Sequence, residues 1–235
     1  MFGAIAPRYD LLNHLLSANR DRAWRRRAVD RLLEGNARGA RPVYLDACAG
    51  TFDLAVELAD RDTFDGDVLA FDFSYPMLDA GRPKLAGRRV LPACADALQL
   101  PLPDASVDGA MVAFGVRNLA AVEDGLRELA RVIRPGGRFV ILEFMTPQWQ
   151  PFRALYLSYF RHVLPLVGRL ISKHGSAYTY LPESVLRFPE PHALADMISA
   201  AGFTDVAWES LTGGIVAVHH GERGSGGAGG AGGAS

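Results

Sequence analysis

Residues 43–59 read VYLDACAGTFDLAVELA and decide the fold. The apolar run Val43-Tyr44-Leu45 comes first, an acid and small residues follow from Asp46 to Thr51, and apolar residues then recur at helical spacing. This order predicts a strand, a tight turn and a helix. Within the turn, Gly50 would allow the backbone to approach a ligand closely. The segment is neither a Gly-x-Gly-x-x-Gly dinucleotide fingerprint nor a P-loop, so a phosphate-binding role is unsupported.

Downstream of this segment, strand and helix patterns alternate. Further strands are predicted at the apolar runs of residues 68–71, 90–96, 107–114 and 138–144. One helix is predicted to begin at Pro76, and another to cover residues 122–133, before the breaker Pro135-Gly136-Gly137. Strands separated by helices of this length are typical of βαβ units. The expected fold is therefore α/β, with a Rossmann-like, doubly wound and mostly parallel sheet.

Three acids stand at the ends of predicted strands: Asp46, Asp72 and Asp96. Because ligands of such sheets bind at the carboxyl ends of the strands, these side chains are expected to share one site. There Asp72 could accept hydrogen bonds from both ribose hydroxyls, and Asp96-Ala97 could meet an adenine amino group. An adenosine-containing ligand without a pyrophosphate fits this set, and S-adenosylmethionine is the obvious candidate. The alternative is that the acids cap helix N-termini.

Composition narrows the class of protein. The 235 residues are 49% hydrophobic and 22% charged, which predicts one globular domain rather than a disordered or fibrous chain. A formal charge of −1 supplies no global field for nucleic acid. Cys48 and Cys94 are too few for a disulfide scaffold or a four-cysteine zinc site, and the six histidines show no metal-ligand spacing. No signal peptide and no apolar run of membrane-spanning length is present, so a cytoplasmic protein is expected.

The two ends of the chain differ from its middle. Residues 221–235 are rich in glycine and predict a disordered tail after a folded domain of residues 1–220. Residues 1–40 are expected to form helices, one of which would bury Trp24, Val29, Leu32 and Leu33. Residues 20–31 within that region carry six arginines: Arg20, Arg22, Arg25, Arg26, Arg27 and Arg31. They could form a solvated basic face or a surface attracted to anionic lipid head groups.

A second amphipathic region lies in residues 146–190, which are expected to form a lid insertion. Its apolar residues recur at steps of three and four: Phe152, Leu155, Tyr159, Phe160, Val163, Leu166, Val167, Leu170 and Ile171. Basic residues interrupt them, and Pro165 predicts a bend. The segment could be a lid helix packed on the sheet, or a channel and membrane-facing surface for an isoprenoid tail. Both functions could hold at once.

Longer motifs resemble a known group of enzymes. The pieces Asp72-Phe73-Ser74-x-x-Met77-Leu78 and Asp96-Ala97-x-x-Leu100-Pro101 resemble class I methyltransferases. More specific are Phe114-Gly115-Val116-Arg117-Asn118 and Tyr178-x-Tyr180-Leu181-x-Glu183-Ser184. The N-terminal piece Phe2-x-x-Ile5-Ala6-x-x-Tyr9-Asp10-Leu11-x-Asn13 belongs to the same signature. Over residues 2–220 the chain resembles the menaquinone/ubiquinone-biosynthesis C-methyltransferase family.

The resemblance implies a reaction and a set of site residues. The enzyme would transfer a methyl group from S-adenosylmethionine, without a metal, to a ring carbon of a reduced polyprenyl quinone precursor, a demethylmenaquinol or a 2-polyprenyl-6-methoxy-benzoquinol. The sheet would have seven strands. The implied cofactor residues are Asp46, Gly50, Thr51, Asp72, Phe73, Met77, Asp96, Ala97 and Ala113. The implied acceptor residues are Tyr9, Asn13, Glu143, Tyr178 and Tyr180.

The resemblance also implies catalytic residues, which are Arg117, Asn118 and Tyr9. Since arginine stays protonated, Arg117 would stabilise a forming phenolate or orient a water that takes the proton. The alternative is a structural Arg117 that pairs with Glu143 or another acid. Asn118 could hydrogen-bond a ring oxygen, and Tyr9 could close over the site or simply pack. Glu143 could be a base or a structural acid.

Two departures from the family pattern leave other functions open. Phe52 replaces a glycine near the cofactor, so either its φ is negative or the loop is reshaped, and the cofactor pocket should differ. Ala113 replaces a frequent serine. The alternatives are a methyltransferase for another phenolic acceptor, and a scaffold without activity. The expected partners are a lipophilic quinol, a membrane surface contacted peripherally, and a second copy in a homodimer.

Overall fold

The computed structural model describes residues 17, 19–34, 41–159 and 183–225. Its strands form one sheet in the order β3-β2-β1-β4-β5-β7-β6. The strands are β1 (Val43–Ala47), β2 (Asp67–Asp72), β3 (Val90–Cys94), β4 (Val107–Ala113), β5 (Ile133–Phe144), β6 (Phe203–Leu211) and β7 (Val216–Arg223). Strands β1 to β5 are parallel and β7 is antiparallel to both of its neighbours. The predicted α/β fold with a seven-stranded, mostly parallel sheet is confirmed.

Helices cover both faces of the sheet. They are α1 (Arg20–Leu33), α2 (Asp53–Ala59), α3 (Tyr75–Gly81), α4 (Val122–Val132), α5 (Gln150–Ser158) and α6 (Pro191–Ala200), and residues 183–187 form a further short helix. One buried cluster joins α1, α2 and α3 to the sheet, and another joins α4 and α6 to its opposite face. Successive strand residues alternate between the two clusters, as the pleat requires: Phe139 and Ile141 lie in one, Val140 and Leu142 in the other.

The Pro-Gly-Gly segment differs from its prediction. It does not separate helix from strand, because β5 begins at Ile133, directly after α4. Ile133 pairs with Val107, and pairing then resumes between Arg138 and Gly109, so the intervening residues form an irregularity in the strand. Gly136 takes φ +73° there, a value that glycine adopts without strain. The predicted start of this strand at residue 138 is therefore wrong by five residues.

The arginine run of α1 is largely engaged in ion pairs. Arg25 is buried and pairs with Asp21, while Arg27 and Arg31 both pair with Glu209 of β6. Arg26 lies 3.9 Å from Glu57. Only Arg20 and Arg22 are exposed without an ion pair to a described residue. Of the predicted inner face, Trp24, Val29 and Leu32 are buried, whereas Leu33 is only partly buried. Arg27 and Arg31 therefore fix the helix to the sheet, whereas Arg20, Arg22 and Arg26 form an exposed basic face.

The folded domain ends later in the sequence than predicted. Strand β7 continues to Arg223, whose guanidinium donates to the carbonyls of Ala130 at 2.7 Å and Gly202 at 2.9 Å. The predicted end of the folded domain at residue 220 is therefore three residues too early. Residues 226–235 lie outside the described part of the chain. Among the described helices, none is long and apolar enough to cross a bilayer.

Candidate active site

A cavity of about 360 Å³ opens at the carboxyl ends of β1 to β4. This is where the strand order reverses between β1 and β4, and where doubly wound sheets bind their ligands. The volume lies within the range of small-molecule sites. The lining includes seven of the predicted cofactor residues and Asn118: Gly50, Asp72, Phe73, Met77, Asp96, Ala97, Ala113 and Asn118. The structure therefore brings most of the predicted cofactor residues together in one cavity, and their binding role stays a prediction.

Asp72 ties the first two loops of the cavity together. Its Oδ2 accepts the backbone N–H of Gly50 at 2.8 Å, and its Oδ1 accepts that of Ser74 at 2.8 Å. Burial raises the pKa of Asp72, and the two amides offset part of that shift. Each oxygen keeps a lone pair for a further donor, such as a pair of ribose hydroxyls. The side chain bridges two loops and does not cap a helix; the residue before α3 is Ser74.

The third loop closes the far end of the cavity. Asp96 is exposed, and its Oδ1 accepts the N–H of Leu98 at 2.9 Å, which shapes the turn after β3. Ala97 and Leu98 add apolar surface beside it, and Phe73 stands 78% exposed at the rim. A flat heterocycle with a polar edge matches such a mixture of apolar wall and carboxylate.

The proposed helix-capping role for the three acids is wrong, because the residues that precede the helices here are Phe52, Ser74 and Ala121.

Phe52 does not behave as predicted. Its φ is +70°, so it adopts the left-handed conformation with its side chain fully buried between the sheet and helices α1 to α3. It does not line the cavity. The left-handed conformation costs a non-glycine residue about 1–2 kcal/mol, which burial of a phenyl group, worth about 1.5–3 kcal/mol, offsets. The expected reshaping of the pocket by Phe52 is therefore wrong, since the backbone keeps the glycine-like turn.

Two predicted cofactor residues lie beside the main cavity instead of in it. Asp46 and Thr51 line an adjoining cavity of about 40 Å³, together with Arg25 of α1. Asp46 is 1% exposed, and neither carboxylate oxygen has a hydrogen bond of normal geometry. Burial raises the pKa of Asp46 well above its usual range, with a smaller opposing effect of the Ala55 amide. Burial thus favours the neutral form of Asp46 in the absence of a ligand.

On the other side of β4, Arg117 and Glu143 form a buried ion pair. Glu143 has no exposed surface, and its Oε1 also accepts the N–H of Phe144 at 2.8 Å. Arg117 donates to the carbonyl of Phe114 at 2.7 Å and lies over the Phe144 ring, 5.4 Å from its centroid. Arg117 lines neither cavity. The ion pair with Glu143 that is expected of a structural Arg117 is therefore present. The contacts of Glu143 are those of a buried acid that stabilises the fold.

Asn118 lies nearer the main cavity than its neighbour Arg117. It lines that cavity, and its Nδ2 donates to the Phe114 carbonyl at 3.2 Å. Phe114 itself has φ +57°, and its N–H donates to Leu142 at 2.8 Å. The Phe114 carbonyl therefore accepts hydrogen bonds from both Arg117 and Asn118, the two polar residues of the family motif. The catalytic roles of Arg117 and Asn118 stay predictions.

Trp24 is a residue of this region that sequence reasoning placed only in the core. Its indole Nε1–H donates to Thr212 Oγ1 at 2.8 Å, and its ring meets Phe114 and Phe144 edge-on at 6.4 and 6.1 Å. Helix α1 is thereby fixed to the loop after β4 and to the loop between β6 and β7. The only signal in the sequence was one large aromatic within a run of arginines.

Four of the five residues predicted to bind the acceptor lie outside the part of the chain that the structure describes. Tyr9, Asn13, Tyr178 and Tyr180 are outside the described residues. Within α5, the predicted inner face is shifted, because Tyr156 is buried whereas Leu155 is 66% exposed. Tyr156 packs with Val185 of residues 183–187. No group of three His, Cys, Asp or Glu that could hold a metal occurs within the described ranges.

Comparison with known proteins agrees with this geometry. A SAM-dependent methyltransferase of Aquifex aeolicus has a similar fold, with a TM-score of 0.58 at 17% identity over 83% of this chain and 89% of its own. The sheet order and the position of the cavity define the class I methyltransferase fold. The profile of the ubiE/COQ5 methyltransferase family matches residues 1–223, and the chain belongs to that family.

Two curated relatives align over nearly the whole chain. The demethylmenaquinone methyltransferase of Thermus thermophilus is 50% identical over 227 residues, which cover 95% of this chain and 100% of the relative. The ubiquinone/menaquinone biosynthesis C-methyltransferase UbiE of Geobacter sulfurreducens is 43% identical over 230 residues, covering 95% of this chain and 87% of the relative. The family named from the sequence motifs is therefore confirmed.

Proposed function

We propose that this protein is an S-adenosylmethionine-dependent C-methyltransferase that methylates a ring carbon of a reduced polyprenyl quinone. The observation that carries the proposal is the cavity at the carboxyl ends of β1 to β4, lined by Gly50, Asp72 and Asp96 in a member of the ubiE/COQ5 family. Family membership supports the reaction, and the cavity supports the cofactor. The proposed cofactor site comprises the main cavity and the small cavity next to it.

The residues present fit S-adenosylmethionine. A Cβ placed on Gly50 would meet only Met77 Cε, at 3.6 Å, so the glycine leaves open space at φ +54° where a side chain would intrude. Asp72 offers both oxygens to ribose hydroxyls, and Asp96 and Ala97 meet the base. Asp46 lies in the small adjoining cavity, where a polar group of the ligand would reach its buried carboxyl group. When bound, S-adenosylmethionine supplies an electrophilic methyl group on a sulfonium, so that no metal is needed.

The other task of the protein is to make the acceptor carbon nucleophilic. Ionisation of an adjacent ring hydroxyl raises the electron density on that carbon. Arg117 is a fixed cation in the loop after β4, and it stabilises the phenolate electrostatically or through a water. Asn118 holds a ring oxygen at the edge of the main cavity. The pairing of Arg117 with Glu143 keeps the guanidinium in one position, which limits its reorganisation during the reaction.

The acceptor proposed is a demethylmenaquinol, a naphthoquinol. The Thermus relative, at 50% identity, is named for that acceptor alone, whereas the Geobacter relative at 43% is named for both quinone pathways. The prenyl tail requires an apolar exit, and exposed apolar side chains stand at and after the start of α5. Trp149 is 70% exposed, and Leu155 and Leu186 are also exposed. These residues support peripheral contact with a membrane from which the quinol enters.

Turnover with two acceptors tests the proposal. The wild type is assayed with S-adenosylmethionine and either a demethylmenaquinol or a 2-polyprenyl-6-methoxy-benzoquinol, beside Asp72→Ala and Asp67→Ala. The two acids lie at opposite ends of β2, and only Asp72 lines the cavity. We expect naphthoquinol turnover that falls at least about 10-fold in Asp72→Ala, because charged hydrogen bonds are lost, and persists in Asp67→Ala. Absence of turnover with both quinols would refute the proposal.

A further inference from the structure

The third loop of the cavity consists of residues 95–106, which connect β3 to β4. Its residues that line the main cavity are Ala95, Asp96, Ala97, Leu98 and Leu100. Asp96 is held from within the loop, since its carboxylate accepts the N–H of Leu98 at 2.9 Å and its carbonyl accepts that of Gln99 at 3.0 Å. The position of the Asp96 carboxylate therefore depends on where residues 98–100 are held.

Helix α4 holds the next part of this loop at Leu100, whose side chain is buried. The N–H of Leu100 donates to Glu128 Oε1 at 2.7 Å, and its carbonyl accepts a hydrogen bond from Arg131 Nη2 at 3.1 Å. Arg131 Nη1 donates to the Leu102 carbonyl at 2.8 Å. Since residues three apart on a helix are neighbours on its surface, Glu128 and Arg131 reach the loop together. Two side chains of α4 therefore fix both backbone groups of a residue that lines the cavity.

Glu128 and Arg131 also bind each other through two hydrogen bonds. Arg131 Nε donates to Glu128 Oε2 at 2.8 Å, and Arg131 Nη2 donates to Glu128 Oε1 at 2.7 Å. The hydrogen bonds from Arg131 hold the pKa of Glu128 below its usual range, against the opposing effect of burial. Glu128 is therefore ionised at neutral pH and remains an acceptor for the N–H of Leu100. A bidentate pair of this kind fixes the orientation of both groups.

A second ion pair of α4 shows what distinguishes the first. Arg127 pairs with Asp124, and both of these side chains are more than half exposed. Exposed pairs of this kind contribute little to stability. By contrast, three hydrogen bonds of Glu128 and Arg131 end on the backbone of the third loop. Neither residue lines the main cavity, so any effect of the pair on a ligand acts through the loop.

We propose that Glu128 and Arg131 are positioning residues that hold the third loop so that Asp96 selects a base with an exocyclic amino group. This inference rests on the proposed function, in which Asp96 and Ala97 meet the base of S-adenosylmethionine. A carboxylate accepts a hydrogen bond from an amino group and repels a carbonyl oxygen, but only at hydrogen-bond distance. A displacement of the loop by about 1 Å would therefore remove this discrimination while the rest of the ligand still binds.

Two ligands that differ in one substituent of the base test this role. S-adenosylhomocysteine carries the amino group, and S-inosylhomocysteine carries a carbonyl oxygen in its place. Calorimetric affinities are measured for the wild type, Arg131→Met, Glu128→Gln and the control Arg127→Met. We expect the wild type to prefer S-adenosylhomocysteine by at least about 10-fold, because the other ligand loses a hydrogen bond to a charged group. Arg131→Met should lower this preference to less than about 3-fold, whereas Arg127→Met should match the wild type.

The preference between the two ligands separates positioning from a merely structural role. An unchanged preference in Arg131→Met, or a loss of affinity of the same size for both ligands, would mean that the pair only stabilises the fold. Equal affinities of the wild type for the two ligands would overturn the inference and leave the proposed function intact. If the wild type bound neither ligand, the proposed function would fail as well.

Thermal unfolding of every variant controls for folding, because Arg131→Met leaves Glu128 without its cation. Glu128→Gln is the milder variant, since its amide oxygen can still accept the N–H of Leu100 while the charge is lost. We expect its preference for S-adenosylhomocysteine to lie between those of the wild type and Arg131→Met. If Arg131→Met does not fold, Glu128→Gln decides, and a preference equal to that of the wild type then overturns the inference.

Discussion

The two halves of the site are built in different ways. The cofactor half, formed by the loops after β1, β2 and β3, is held by backbone amides such as those of Gly50 and Ser74 on Asp72. The proposed acceptor half, which contains Arg117, Glu143 and the aromatic rings around them, is held by side chains that come from distant parts of the chain. A site built on backbone amides tolerates changes of side chain nearby. A site built on a buried ion pair does not, because each partner leaves the other uncompensated.

The largest effect is expected in the acceptor half. Arg117→Met should lower the free energy of unfolding by about 3–5 kcal/mol, since it leaves Glu143 buried without its cation. The double variant Arg117→Met/Glu143→Leu should recover most of that stability, because no uncompensated charge remains. Urea unfolding measures both.

Turnover of the double variant then separates stability from catalysis. If Arg117 stabilises the phenolate, the folded double variant should lose at least about 10-fold in kcat while its affinity for S-adenosylmethionine stays unchanged. A stable double variant with full turnover would show that Arg117 acts only as the partner of Glu143.

Within the cofactor half, a change of core side chain should leave binding intact. Phe52→Gly should lower the free energy of unfolding by about 3 kcal/mol, because the loss of a buried phenyl group outweighs the relief of its left-handed backbone. Affinity for S-adenosylmethionine should change by less than about 2-fold at a temperature where the variant is folded. A large loss of affinity would mean that the phenyl group shapes the cavity, as the sequence had suggested.

The sequence predicts where the parallel strands end and which helices alternate with them. It therefore also predicts which residues form the cofactor half. Asp72 and Asp96 follow apolar runs, and parallel strands bring their ends to one edge whatever the details of packing. The side-chain contacts of the acceptor half join residues such as Trp24 and Thr212, which no local pattern connects. The backbone of Phe52 is not predictable from local sterics either, because burial of its ring favours a conformation that local sterics alone disfavour.

A smaller effect is expected where α1 meets the acceptor half. Trp24→Phe keeps an aromatic ring against Phe114 and Phe144 but loses the hydrogen bond to Thr212, so it should cost about 1 kcal/mol of stability. Trp208→Phe, at a half-exposed position of β6, serves as the control and should stay within about 0.5 kcal/mol. Thermal unfolding of both variants measures the difference. Equal effects would mean that the indole N–H contributes nothing to the position of α1.

An effect of similar size concerns Asp46 in the protein without ligand. Because burial raises its pKa in the folded state, the native protein holds a proton on Asp46 that the unfolded chain has lost above about pH 4. This residue therefore makes stability fall as pH rises from about 4 through the raised pKa. Asp46→Asn lacks this titration, so at neutral pH it should be more stable than the wild type by on the order of 1 kcal/mol. Parallel pH dependences of the two proteins would contradict the raised pKa of Asp46 in the folded state.

The position of the transferred methyl group tests the account most directly. The wild type is incubated with S-adenosylmethionine labelled with carbon-13 in its methyl group and with a demethylmenaquinol, and the product is analysed by NMR. We predict a labelled methyl group on a ring carbon, together with one S-adenosylhomocysteine for each methyl transferred. A label on a hydroxyl oxygen, or cofactor that binds without any methylated quinol, would contradict the assignment of a quinone C-methyltransferase.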